Sequence, residues 1–420
     1  MLKSIDLNFL YNIGINILQI TLHIAALFNE KIKHGVIGRA QTFSLLESKL
    51  NSGDKTLWFH CASLGEYEQG LPVFKALKKH YSTHKIVLTF FSPSGYEIRK
   101  NTPIADVVVY LPIDGKKNAK RFLNLVNPEL SIFVKYDIWP NILNELKTRN
   151  LHAILISALY QKNQSYFKFY GAILRKGLFA FKHIFTQNIT SKELLESIGY
   201  QHVTIAGDTK FDRVSDQLKQ NNTLDFIEAF KQDKLCVVAG STWPEDENLL
   251  INYINSEITE HIKFIVAPHN MKTNQIQRLQ ENLNVKTVLY SEKDTQDYEN
   301  AQVFIIDTIG LLSKIYGYAD IAYVGGAMGS TGLHNTLEAA VFGVPIIIGN
   351  KHSEFPEAQA MINISGMFEI SNQQEFNDIL NLLITDKEKR MASGKHNANY
   401  VNKNKGAVKH ILKYLNIEVS

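Results

Sequence analysis

The sequence predicts an α/β protein made of two doubly wound parallel sheets, and three observations carry that prediction. Short apolar runs alternate with amphipathic stretches from residue 57 onward, the rhythm of a parallel sheet with helices on both faces. The alternation stops over the polar, strand-free stretch 212–234 and then restarts. The chain has 420 residues, too many for one ordinary core and suited to two domains of roughly 150–200 residues.

Composition narrows the function classes. Hydrophobic residues make up 45% of the chain, which excludes wholesale disorder. Lys and Arg number 45 against 41 Asp and Glu, a net charge of only +4. Without a dense basic stripe, no nucleic-acid partner is expected. Cys61 and Cys236 are the only cysteines. That count excludes a disulfide framework and a Cys-rich zinc module, and fits a reducing compartment.

The first element is apolar, residues 7–28, yet carries Asn8, Asn12, Asn16, Gln19 and His23 three or four residues apart on one helix face. Leu10, Ile13, Ile17, Ile20, Ile24 and Leu27 fill much of the rest. A spanning helix wants about 20 mainly apolar residues. The polar stripe fits a helix lying in a membrane interface better, with Lys31, Lys33, His34 and Arg39 following to meet anionic headgroups. The plainer alternative is an amphipathic helix capping a soluble core. No small-residue cleavage site follows, so a secretory signal is not expected.

Strands of the first half are expected at 56–61, 85–90, 107–111, 130–134, 153–157, 183–186 and 203–206, with helical patterns at 70–79, 117–125 and 141–147 between them. The second set falls at 236–239, 263–267, 286–289, 303–306, 321–324 and 345–348. The expected division is a membrane-associating segment 1–40, a first domain 41–215 and a second domain 216–420, with a cleft between the two domains. Ligands on such sheets sit at the carboxyl ends of strands, so the candidate chemistry lies in the loops there.

Residues 58–66 read as strand, tight loop and helix, with Ser63 and Gly65 in the loop. Gly65 permits an unusual backbone angle. Glu66 sits where the helix begins, equally an ordinary cap favoured by the dipole or a general base. The loop's N–H groups can meet an anion, and His60 reads as a packed strand histidine. After the strand 130–134 comes Lys135-Tyr136-Asp137-Ile138-Trp139-Pro140-Asn141. Charges at the end of a buried strand are costly unless paired or functional. Asp137 either stabilises charge or caps the helix that Pro140 opens. In residues 207–213, Lys210 could reach a phosphate or carboxylate, or pair with Asp208 or Asp212.

In the second half, Ser241 and Thr242 follow a strand and open a helix bearing Glu245, Asp246 and Glu247, giving N–H and hydroxyl donors for an oxyanion. Pro268 and His269 end the next strand, and Ile309, Gly310 and Leu311 lead into an amphipathic helix 312–318. The richest stretch is 323–340. Gly325 and Gly326 begin a glycine-rich loop that can approach a phosphate. A helix is expected to open around His334 and Asn335 and to continue through Thr336, Leu337 and Glu338. Glu338 would then share a face with His334 and accept from ribose hydroxyls. The loop is neither a Walker loop nor a tidy dinucleotide fingerprint. No Asp-x-Asp pair occurs, and the histidines and cysteines lack metal-ligand spacing. No metal and no other cofactor is expected.

Taken together, Ser63-Leu64-Gly65-Glu66, Trp139-Pro140-Asn141, Gly207-Asp208-Thr209-Lys210-Phe211-Asp212, Gly240-Ser241-Thr242 and His334-Asn335-Thr336-Leu337-Glu338 resemble, in order and over nearly the whole chain, the 3-deoxy-D-manno-octulosonic acid (Kdo) transferases of lipid A assembly. The resemblance implies a GT-B fold. It also implies inverting transfer of Kdo from CMP-Kdo to a lipid A precursor at the cytoplasmic face of the bacterial inner membrane. By that resemblance Glu66 is the base, Asp137 and Lys210 steady the transition state, and CMP is held by Pro268-His269, the turn at Ile309, Gly310 and Leu311, and Asn335 to Glu338. The partners implied are CMP-Kdo, the lipid acceptor and the membrane surface. The chain departs from the family's pattern in Asn270 where Pro-Arg-His is common, in Ile309-Gly310-Leu311-Leu312 without an acid, in Leu333 for a glycine, and in Asp137 for a glutamate. The alternatives are another GT-B enzyme acting on a UDP-sugar and a non-catalytic membrane-associated binding protein.

Overall fold

A computed structural model describes residues 7–256 and 261–418, which divide into two compact units. The first runs to Arg213 and resumes at Lys405; the second is Val214–Asn404.

The first unit opens with α1 (Leu7–Ala25) and α2 (Glu30–Lys49). Its strands are β1 (Thr56–Cys61), β2 (Lys85–Phe90), β3 (Val107–Tyr110), β4 (Leu130–Val134), β5 (His152–Ala158), β6 (His183–Thr186) and β7 (Val203–Ile205). The helices that follow them are α3 (Leu64–His80), α4 (Pro93–Arg99), α5 (Lys116–Val126), α6 (Pro140–Thr148), α7 (Ala172–Leu178), α8 (Ile189–Ser197) and α9 (Thr209–Gln217). All pairings are parallel, in the order β3-β2-β1-β4-β5-β6-β7. Every residue of β1 is buried. Leu57, Phe59 and Cys61 face one apolar cluster and Trp58 the other, the two-residue alternation of a strand covered on both faces.

The second unit repeats the plan with α10 (Asp225–Lys231), β8 (Leu235–Thr242), α11 (Pro244–Ser256), β9 (Ile262–Pro268), α12 (Thr273–Glu281), β10 (Thr287–Leu289) and β11 (Val303–Ile305). It continues with α13 (Leu312–Ile315), β12 (Ile321–Val324), α14 (Leu337–Ala340), β13 (Ile346–Gly349), α15 (Pro356–Asn363), β14 (Met367–Ile370), α16 (Gln373–Thr385) and α17 (Lys387–Asn404). Its order is β10-β11-β9-β8-β12-β13-β14, again all parallel. The edge strand β14 was not expected, because the exposed Glu369 breaks its short apolar run.

One expectation changes. The last helix, α18 (Ala407–Tyr414), lies in the first unit rather than the second. Ile411 and Leu412 bury in the cluster behind β1, and the Asp212 carboxylate accepts from the Gly406 and Ala407 N–H groups at 3.0 and 3.1 Å, capping the helix. At the other end, α1 meets the unit through Tyr11, Asn12 and the buried Ile15. Asn12 contacts Asn141, while Leu10, Ile13, Ile17, Ile20 and Ile24 stay exposed. None of the described helices is long and apolar enough to cross a membrane.

Candidate active site

Strand order reverses between β1 and β4 in the first sheet and between β8 and β12 in the second. Crossovers diverge to opposite faces at such points, which leaves an opening at the carboxyl ends of the two strands. The loops at those four ends are Ser63–Glu66, Lys135–Asn141, Ser241–Trp243 and the glycine-rich run from Gly325. Most sequence-predicted residues therefore fall at a switch point in one unit or the other, whereas Lys210 follows the edge strand β7, Pro268 and His269 end or follow β9, and Ile309 to Leu311 follow β11.

At the first, Ser63 is the N-cap of α3, its hydroxyl loosely accepting the Glu66 N–H at 3.5 Å. Glu66 reaches back to accept the Ala62 N–H with Oε2, a variant of the capping box. Oε1 has no hydrogen-bond partner among the described residues and is not sealed from solvent. A cap and a potential base are thus the same group. Burial, and secondarily the negative charge of Asp137, push the Glu66 carboxyl up to about 7, against the pull of the Ala62 N–H, His60 and Lys135. Gly65 is helical without a positive φ, so no unusual angle is needed there. A Cβ on it would meet only the Ser63 hydroxyl, at 3.9 Å, leaving the space in front of the loop open.

Asp137 faces this carboxyl as part of a buried chain. Its Oδ2 accepts from His60 Nε2 at 2.6 Å and from Trp139 Nε1 at 2.8 Å. His60 Nδ1 bonds the Thr89 hydroxyl at 2.8 Å, and Trp58 Nε1 donates to the same oxygen at 2.8 Å. With an ionised Asp137 the Nε2 atom carries the proton, an assignment made from the network. His60 is a packed strand histidine, as expected, and it also holds Asp137 in place. Lys135, the first residue after β4, has φ 70°. A non-glycine residue in the left-handed region is strained, and such strain clusters at functional sites.

Sequence reasoning missed Asp114. It is fully buried and accepts the Asn141 and Ile142 N–H groups, both at 2.9 Å, and the Tyr11 hydroxyl at 2.8 Å. Burial raises its carboxyl to about 6. It caps α6 from another loop and ties α1 to it. The Asn141 amide adds bonds to the Asp114 carbonyl and to Asn12.

Lys210 lies on the first turn of α9 with Nζ 3.4 Å from Asp208. Asp208 also accepts from Gln69 at 2.6 Å. The charge of Lys135 pulls the Glu66 carboxyl downward.

In the second unit Ser241 has φ 55° and Thr242 is buried, its hydroxyl 3.3 Å from Glu247. Asp246, fully buried, shows in the sequence only as part of a helix start. Its carboxylate accepts from Trp243 N–H at 2.9 Å, Gly326 N–H at 2.9 Å and the Tyr323 hydroxyl at 2.6 Å, joining the ends of β8 and β12. Gly326 has φ 102°, and a Cβ on Gly325 would strike the Ser241 carbonyl at 2.5 Å, so both glycines are required. Trp243, His269 and His334 stack, with centroids 4.8 Å apart for Trp243–His269 and 4.4 Å for His269–His334. Trp243 Nε1 donates to His334 Nε2 at 3.0 Å. Burial, reinforced by His269, pulls His334 down to about 4, so the ring is neutral and its proton sits on Nδ1. Pro268 ends β9 beside this stack. Ile309 is exposed and Gly310 turns with φ 99° ahead of Leu311 and α13.

The helix expected to open at His334 does not. Asn335 Oδ1 accepts the Leu337 N–H at 3.2 Å, and α14 is a single turn beginning at Leu337 with Thr336 as its N-cap. Gly343, with φ 73°, and Pro345 stop it early. Glu338 therefore shares no helical face with His334; it accepts from the Asn335 amide at 3.0 Å. The helix expected over 312–318 is likewise one α turn followed by a 3₁₀ turn, Tyr316–Tyr318. Among the described residues, no group of three or more His, Cys, Asp or Glu could hold a metal ion.

Two seven-stranded parallel sheets, each with its functional loops at a switch point, define a protein of the GT-B fold class. The structure is similar to the UDP-GlcNAc 2-epimerase of Neisseria meningitidis, with TM-score 0.62 and 17% identity, covering 86% of this chain and 99% of that one. It is also similar to Acinetobacter baumannii MurG, with TM-score 0.55, 10% identity and coverage of 86% and 99%. At such identities the likeness is one of fold. Sequence says more: residues 37–213 match the model of the 3-deoxy-D-manno-octulosonic-acid transferase (kdotransferase) family. The chain is 27% identical over 373 residues to the 3-deoxy-D-manno-octulosonic acid transferase of Haemophilus influenzae, covering 86% of each. It is thus a relative of the Kdo transferases along most of its length, and its first unit carries that family's domain.

Proposed function

We propose that the chain is a glycosyltransferase that moves Kdo from CMP-Kdo to a lipid A precursor, with inversion, in lipopolysaccharide core assembly. The observation that carries this reading is the placement of Glu66 and Asp137 at the β1/β4 switch point of a Kdo transferase-type domain. The Glu66 carboxylate takes the proton of the acceptor hydroxyl as that oxygen attacks the anomeric carbon of Kdo. The bond from that carbon to the CMP phosphate breaks, and the electron pair leaves with CMP. Asp137, oriented by His60 and Trp139, adds to burial in raising the basicity of Glu66. Lys210 and Lys135 supply positive charge toward the carboxylate and phosphate of the donor. In the second unit, Ser241, Thr242, Gly325 and Gly326 offer donors to the phosphate of CMP. His269, Ile309 to Leu311 and Asn335 to Glu338 hold the nucleoside. No step calls on a metal or other cofactor. The exposed apolar side of α1 would rest on the cytoplasmic face of the inner membrane, where the lipid acceptor resides.

The test is mass spectrometry of a defined tetraacyl lipid A precursor incubated with the full chain and CMP-Kdo. The expected product is heavier by one or more Kdo residues. An unchanged acceptor, together with thermal stabilisation by UDP-sugars and none by CMP, would replace this reading with that of a UDP-sugar enzyme.

A further inference from the structure

A cavity of about 150 Å³ opens between α1, α2 and the loop after β3. Leu22, Val36, Phe43, Pro112 and Ile113 supply apolar walls, and Arg39 enters from α2. The guanidinium is an anomaly in such a place. Nη1 donates to the Gly35 carbonyl at 3.1 Å and Nη2 to the Phe91 carbonyl at 2.5 Å, and the group lies over the Phe91 and Tyr110 rings at 4.4 and 5.3 Å. Among the described residues no carboxylate pairs with it. A partly buried cation without a counter-charge is costly, and the missing partner is an anion. The cavity runs out along α1 into an open groove formed by Asn16, Gln19, Ile20, His23 and Ile24. Ile20 and Ile24 there are exposed.

Two connections join this cavity to the carboxylates. Pro112 and Ile113 line it, and the next residue is Asp114, which holds Asn141 and Ile142 just after Trp139 and Asp137. Along α1, Gln19 and His23 follow Asn12, the partner of Asn141, by about 10–16 Å of helix. Both connections end at the start of α6, directly after Asp137 and Trp139.

The geometry points to an acceptor subsite: the cavity takes an acyl chain of an anionic amphiphile, the lipid acceptor itself, with its anionic group on Arg39. This rests on the proposed acceptor and assigns its tail and charge to named residues. Apolar walls and an unpaired guanidinium match an amphiphile, and the groove along α1 gives the chain a way out toward a lipid surface.

The test uses the full chain and two readouts. Direct binding of the fluorescent anionic amphiphile dansyl-undecanoate is measured without transfer, and KM for the tetraacyl acceptor is measured in detergent micelles. Val36→Trp fills the cavity, Arg39→Gln removes its charge and Arg39→Lys keeps it. Ala40→Trp serves if Val36→Trp melts early. Filling or neutralising the cavity is expected to weaken probe binding about tenfold and to raise acceptor KM about tenfold, with KM for CMP-Kdo unchanged and Arg39→Lys restoring most of both. Probe binding within about twofold of the parent in folded variants overturns the subsite. So does weaker probe or phosphatidylglycerol-vesicle binding with unchanged acceptor KM, because the cavity then serves bulk lipid. If the acceptor displaces the probe and the variants abolish that displacement while no Kdo is transferred by the parent chain, the subsite stands and the assigned reaction falls.

Discussion

The two switch points share a backbone plan and differ in chemistry. In the first unit the loops after β1 and β4 present Glu66 and Asp137, and burial, with the negative charge of Asp137 adding to it, raises the Glu66 carboxyl to about 7. In the second, the loops after β8 and β12 present glycine N–H groups and a stack of Trp243 with two histidines, of which His334 is held neutral down to about 4. The buried carboxylate of that unit, Asp246, spends its oxygens on Trp243, Gly326 and Tyr323. Under the proposed function the first opening would hold and move a proton. The second would hold a planar, anionic ligand without changing its own charge. The difference teaches that one strand order can carry two chemistries: it places an opening at each switch point, and the residues after each strand set the character of that opening.

The sharpest way to break that contrast is Glu66→Gln. Loss of a general base is expected to lower kcat about a hundredfold to ten-thousandfold, with CMP-Kdo affinity nearly intact by calorimetry. Near-normal turnover would put proton transfer elsewhere. Asp137→Asn removes the charge facing Glu66 and the acceptor for His60 and Trp139. Steady-state kinetics should show kcat down about ten- to hundredfold. In the second unit the effects should fall on binding. Trp243→Phe keeps the ring and loses the bond to His334, so KM for CMP-Kdo should rise about two- to tenfold with kcat unchanged, the worth of one hydrogen bond. A fall in kcat with unchanged KM would erase the distinction between the openings. The smallest effect is on stability alone. Asp246→Ala strands two N–H groups and a hydroxyl, and thermal melting should show the chain weaker by about 1–3 kcal/mol.

Much of the first opening was legible in the sequence. The central strands are continuous apolar runs because both faces are covered, so β1, β2, β4 and β12 fall where those runs do. Glu66 was legible because a capping position is a local pattern, Ser63 followed three residues later by an acid. Asp114 was not, because its partners lie 27 residues away at Asn141 and 103 away at Tyr11. No local signal marks an acid that caps a helix of another loop. The bond from His60 to Asp137 spans 77 residues and was hidden for the same reason. The helix misread at His334 shows the opposite failure. The local pattern looked helical, yet the Asn335 side chain and the Gly343 turn confine α14 to one turn. The last helix was assigned to the wrong unit because chain order says nothing of where Ile411 and Leu412 find an apolar surface.

The central claim is that Glu66 works as a carboxylate tuned by Asp137. A carboxyl raised to about 7 loses its proton as pH rises through that value, so the ionised, proton-accepting form grows in the same window. The measurement is kcat/KM for the acceptor against pH, in the parent chain and in Asp137→Asn. The account predicts a rise centred near 7 in the parent, moved to lower pH in the variant because the opposing charge is gone. A profile without that rise, or one centred at the same pH in both proteins, would contradict it.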